Sequence, residues 1–172
     1  LTAVTVKLRM LPSHRRFAAF RFDSLGQGIE AGRRIMTDGL RPAVMRLYDR
    51  DAAIKSLERA VRAGLDAETM LIMVDGHHER LVAEEAALCS EICLDLGARS
   101  LGAEVGMAWW ENRYAFYHPP HAPQLPQIWM TLDAAADYTR IQAVYDAVTG
   151  AIRNAVDPRW GLTLKTHLSH WY

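Results

Sequence analysis

The sequence is poor in most features that would assign it a function at once. Two cysteines in 172 residues exclude a disulfide scaffold and a cysteine-rich zinc module. Neither sign of charge prevails. Twenty Lys and Arg balance twenty Asp and Glu, so no overall field draws the chain to nucleic acid or an anionic membrane. Long apolar runs are missing too: MLIMV at residues 70–74 is far short of the roughly 20 residues that span a bilayer. No glycine-rich phosphate-binding stretch occurs, because the GQG at residues 26–28 falls inside an amphipathic helical pattern. No charged segment followed by an apolar one opens the chain, which begins at Leu1 rather than Met. That start leads us to expect a trimmed piece.

What is present supports one well-packed domain, since half of the residues are hydrophobic. Cys89 and Cys93 stand four apart on a helical pattern beside Leu88, Ile92 and Leu96. A disulfide at that spacing would be strained, so they read as core thiols in a reducing compartment, which points to the cytoplasm.

Along the chain, TAVTVKLRML alternates Val4, Val6, Leu8 and Met10 on one face and reads as a strand ended by Pro12. RRFAAFRF reads as a second strand. Ser24 with Gln27 three residues on is a capping box, which predicts a helix over 25–37 stopped by Gly39. PAVMRLYD then predicts a strand, DAAIKSLERAVRAG a helix closed by Gly64, and TMLIMVD a central strand. His77-His78 marks a turn and the start of a helix over 79–96 that packs through Leu81, Leu88, Ile92 and Leu96. PQIWMTLD is strand-like, Tyr138, Ile141, Tyr145, Val148 and Ile152 step along another helix, and LTLKTHLSHWY returns as a strand. The order predicts an α+β domain: an antiparallel sheet with helices on one face, related to the ferredoxin-like fold.

One stretch breaks the pattern. MAWWENRYAFYHPPHAPQLP, residues 107–126, carries five aromatics, two histidines, one arginine and four prolines. It reads either as a ligand site or as a long loop covering the end of the sheet. Arg113 amid Trp109, Trp110, Tyr114 and Tyr117 offers a planar cation to a carboxylate or phosphate. His118 and His121 could hold a metal at that spacing, but with no third ligand to name they read as a solvent-facing pair.

At FRFDSLGQGIEAGRRIMTDGLRPAVMRLYD, LGAEVGMAWWENRY and the terminal HLSHWY, the sequence resembles the substrate (cap) domain of FAD-linked oxidases of the vanillyl-alcohol oxidase type. Its closest branch is that of alkyldihydroxyacetonephosphate synthase. The resemblance implies that residues 1–12 end a strand leading out of an FAD-binding domain absent from the chain. Residues 13–172 would then be a cap domain incomplete at its C-terminus. FAD would be bound mainly by the absent domain, with a small hydroxy acid or a phosphate-bearing substrate held between flavin and sheet. Carried over by position, Arg113 is a substrate-binding and catalytic group and Tyr172 an active-site acid/base or hydrogen-bonding group. Trp110, Tyr114 and His170 line the same pocket, and His167 is left at the surface. Arg113 and Tyr172 should converge on one ligand. Phe116-Tyr117-His118-Pro119-Pro120 departs from the family's charged run at that point, so the substrate is left open. So is the use of the flavin, by hydride transfer or by covalent adduct. The alternative is a free-standing module that binds a small ligand or dimerises through its sheet, without catalysis.

Overall fold

The computed structural model describes residues 2–114 and 130–171. The central element is β3, Glu68–Gly76. On one side it pairs antiparallel with β1, His14–Phe22, and on the other with β2, Val44–Tyr48. Two short strands complete the sheet at its edges: β4, Arg99–Gly102, and β5, His167–Leu168. The order is β4-β1-β3-β2-β5. Its first four strands, with α1 (Leu25–Thr37) and α4 (Glu79–Asp95) as crossovers, have the split βαβ arrangement of ferredoxin-like folds.

Register assigns each side chain to a face. Phe20, Phe22, Met45, Leu47, Met70, Ile72 and Val74 point to one face, where α1 and α4 close over them. Helix α6, Ile141–Ala155, packs against the same layer through Ile141 and Tyr145. The long helices therefore share one face, as the sequence pattern implies. The opposite face carries a smaller layer that the pattern does not reveal. Ala19, Tyr48 and Leu71 are covered there by a helical run of α2 (Arg50–Ala52), a π-helical turn (Ala53–Leu57) and α3 (Glu58–Val61), and by α5, Glu104–Asn112.

Local signals account for the boundaries. Ser24 Oγ accepts from the Gln27 amide at 3.3 Å to start α1, and Gly39 takes a left-handed φ of 86° just after it. The run that begins at Arg50 ends at Arg62, itself at φ 52°, before Gly64 at φ 70°. His78 is the N-cap of α4. Cys89 and Cys93 are fully buried free thiols, and burial pushes both up to about 12.

Four expectations are corrected. Residues 2–11 form no strand: Val4, Val6, Leu8 and Met10 are exposed, and no described strand pairs with them. The buried stripe of α4 runs through Val82, Cys89, Ile92 and Cys93, while Leu81 and Leu88 face outward. Residues 130–133 lie outside the sheet, and of the last stretch the ladder takes in His167 and Leu168. Residues 107–112 of the aromatic stretch are helical rather than irregular, as the end of a helix that starts at Glu104. Tyr172, Tyr117, His118, His121 and the rest of 115–129 lie outside the described residues.

Helix α1 comes unusually close to the sheet. A Cβ on Gly28 would stand 2.6 Å from Leu47 Cδ1, and one on Gly32 would stand 2.3 Å from the ring of Trp171. That indole is fixed, since its Nε1–H donates to the Met45 carbonyl at 2.9 Å. Gly32→Ala is therefore expected to destabilise the domain by about 1–3 kcal/mol through overpacking. Gly150→Ala, mid-helix in α6 with nothing within 4 Å of the added methyl, should stabilise it by about 0.5–1 kcal/mol. Urea unfolding of the two variants should move in opposite directions.

Candidate functional site

The face opposite α1 and α4 gathers cations and aromatic rings. Alternation along β1 and β2 brings Arg15, Phe17, Arg46 and Tyr48 to that face. Helix α5 lies across β1 because Gly106 lets it approach: a Cβ there would be 3.1 Å from Phe17 Cβ. The approach delivers Trp109, Trp110 and, at the helix C-cap, Arg113.

Trp110 is the hub of one half. The Arg113 guanidinium lies over its ring at 3.6 Å and over Tyr114 at 4.4 Å, while Arg15 covers Trp110 at 4.8 Å. Arg113 Nη1 donates to the Trp110 carbonyl, which clamps the guanidinium to its own helix end. Phe17 packs on Trp110 at 6.3 Å between centroids. Arg15 pairs with Asp75 at 3.5 Å.

Trp109 leads to the other half. It packs on Trp110 at 6.4 Å and lies 5.7 Å from the Arg46 guanidinium, which also covers Tyr48 at 5.6 Å. Arg46 Nη2 meets His167 Nε2 at 2.5 Å. A guanidinium only donates, so this imidazole nitrogen accepts and the ring proton sits on Nδ1. Arg46 Nε is buried with no hydrogen-bond partner among the described residues. His167 keeps an exposed edge while its ring packs on Tyr48 at 5.6 Å. Desolvation of that ring, and next the Arg46 charge, push the imidazole down to about 4; Asp133 opposes the shift and His170 adds to it.

Of the residues expected from sequence, Arg113, Trp110 and Tyr114 are brought together, with Tyr114 largely exposed. His170 is exposed, its Nδ1 3.1 Å from Ser169 Oγ. His167, read as a surface residue, is exposed, and it also rests on Arg46. Arg46 and Tyr48 were missed as site residues, although a charge at the centre of an apolar strand was the available signal. Trp171 belongs to the core instead, wedged on Gly32 and stacked with Tyr138 at 6.4 Å. Among the described residues no group of three or more His, Cys, Asp or Glu could hold a metal ion, and no helix is long and apolar enough to cross a membrane. A groove of about 220 Å³ lies elsewhere, on the α1/α4 layer, lined by Arg34, Asp38, Leu88, Glu91 and Asp95 among others.

A ferredoxin-like sheet with a cationic, aromatic-rich second face defines the class of the protein as an α+β domain. Residues 11–172 match the family described as FAD linked oxidases, C-terminal domain, and the chain belongs to that family. Two solved structures share the fold, both of an alkyldihydroxyacetonephosphate synthase in different crystal forms. They are 17% and 16% identical with TM-scores of 0.71 and 0.65, each covering 95% of this chain. The chain in turn spans 35% and 34% of their length, about a third. No curated protein matches the sequence.

The His167 environment carries a pH signature. A histidine held below its unfolded value of about 6.5 favours the neutral folded form, so its contribution is present above that pH and is lost as pH falls toward about 4. Urea unfolding of the wild type should show stability falling across that window, and His167→Gln should remove part of the slope. Equal slopes would mean that the ring titrates normally.

Proposed function

We propose that this domain is the substrate-facing cap of an FAD-dependent oxidoreductase, with the Arg113–Trp110 and Arg46–His167 groups lining the pocket over the flavin. The observation that carries this reading is the Arg113 guanidinium held against the rings of Trp110 and Tyr114 on a sheet face that also presents Arg46. A permanently charged fork resting on aromatic rings suits a carboxylate or phosphate. A small hydroxy acid or a phosphate-bearing compound meets that requirement. Tyr172 enters as the expected proton-handling group of this pocket, from the family resemblance.

The residues also suit the flavin. Arg46 has a buried Nε without a described partner, a donor that an electron-rich ring edge could use. No glycine-rich phosphate cradle lies in the chain, so the nucleotide half would be held by another domain of the same protein. When bound, the flavin supplies the electron chemistry. The chain's own part is to bind the substrate anion through Arg113, to orient it against the rings, and to keep His167 neutral beside Arg46 as an acceptor rather than a further cation.

The full-length flavoprotein provides the test, its flavin absorbance titrated with lactate and with glycerol phosphate as probes. Arg113→Ala is expected to keep the flavin content and to lower kcat/KM or probe affinity about 10- to 100-fold, as for a lost hydrogen bond to a charged partner. Arg113→Lys should restore only part, because an ammonium cannot present the fork. Unchanged binding and turnover in Arg113→Ala would end the proposal.

A further inference from the structure

We propose that Asp49 is a positioning residue: its carboxylate fixes the end of β2 between helices on both sides of the sheet, and so seats His167 against Arg46 and Tyr48. The relevance to catalysis rests on the substrate-facing role proposed for that face; the seating of His167 does not.

Asp49 is 4% exposed, and among the described residues it forms no ion pair with the arginines of the binding face. Part of its role is local. Oδ1 accepts from the Ala52 amide at 2.7 Å, capping the helical run that covers the cationic face. Serine or asparagine would do that equally well, so the cap does not explain a buried carboxylate. The second oxygen accepts from Tyr145 Oη at 3.1 Å, 96 residues away on α6, which belongs to the opposite layer. Burial first, then the Asp49 charge and this hydrogen bond, push the Tyr145 phenol up to about 12, so it remains a donor across ordinary pH. The Asp49 amide donates to the Thr166 carbonyl at 3.0 Å. One residue thus ties together a helix start, α6 and the segment that leads into β5.

The last of these ties matters because β5 has two residues, Leu168 opposite Leu47 and His167 opposite Tyr48. So short a ladder is marginal without other support. It is bracketed instead, by the Asp49 amide on Thr166 before it and by the Trp171 indole on the Met45 carbonyl after it. The Trp171 bracket bears on the α1 layer. Only the Asp49 bracket adjoins His167, and the Asp49 amide is held in place by what the carboxylate grips on both sides. Among the described residues, the charged and titratable groups facing His167 are Arg46 and Tyr48 from β2, Asp133 from the segment before α6, and His170 from its own stretch.

The experiment follows the His167 imidazole by NMR in the full-length protein with labelled histidine, its signal assigned by His167→Gln, in Tyr145→Phe, Asp49→Ala and Asp49→Asn. Seated as described, His167 titrates near about 4. Tyr145→Phe and, further, Asp49→Ala should let the midpoint climb toward the free value of about 6.5. Asp49→Asn can still cap Ala52 and meet Tyr145, and should hold the midpoint near the wild-type value. If Tyr145→Phe lowers Tm while the His167 midpoint stays in place, Asp49 is structural only and the proposal is overturned. Tyr145→Phe retains the ring, so it carries the test should Asp49→Ala fail to fold. A moved midpoint with unchanged flavin-dependent turnover would confirm the positioning and instead overturn the catalytic relevance of the His167 face.

Discussion

The constraint on which the architecture depends is that β3 buries both of its faces. Met70, Ile72 and Val74 on one side, with Leu71 and Met73 on the other, are at most 3% exposed. A strand with no wet face obliges the chain to cover the sheet twice. One layer is built by two long helices, α1 and α4, with α6 and Trp171 packed against it. The second is built from shorter pieces, a broken helical run and the nine residues of α5. Where this thinner cover leaves room, β1 and β2 present Arg15 and Arg46 rather than leucines, with the tryptophans of α5 beside them. The cationic face is a consequence of incomplete cover.

How much of this was legible depended on the range of the interaction. Capping and periodicity are local, and α1 was readable to its ends from Ser24 and Gly39. The apolar run of β3 was readable as central for the same reason. Arg113 with Trp110 is a helical i, i+3 pair, so their meeting lay in the sequence too. Pairing is not local. TAVTVKLRML has the alternation of a strand, but alternation does not supply a partner, and no described strand pairs with it. The Arg46 contact with His167 spans 121 residues and no spacing rule anticipates it. The choice between His167 and His170 turned on strand parity, and parity lapses once the ladder ends at Leu168.

Membership of the FAD linked oxidase C-terminal family, at 17% identity to a solved structure of the same fold, fits a division of labour. The packed layer of α1 and α4 preserves the frame, through small residues such as Gly28 and Gly32 and large ones such as Phe20 and Leu47. The thinner layer holds the arginines and aromatic rings proposed above to meet a ligand. Such a layer can change its chemistry without disturbing the frame, because its arginines rest on aromatic faces rather than on one another.

The Trp171 indole that reaches the Met45 carbonyl has one more effect. Beyond the two residues covered by β5, the rim of β2 would offer a bare backbone acceptor to any passing extended chain, the opening from which sheet proteins stack into fibrils. A side chain occupies that acceptor, and the tail acts as a hem that keeps the sheet from fraying into its neighbours.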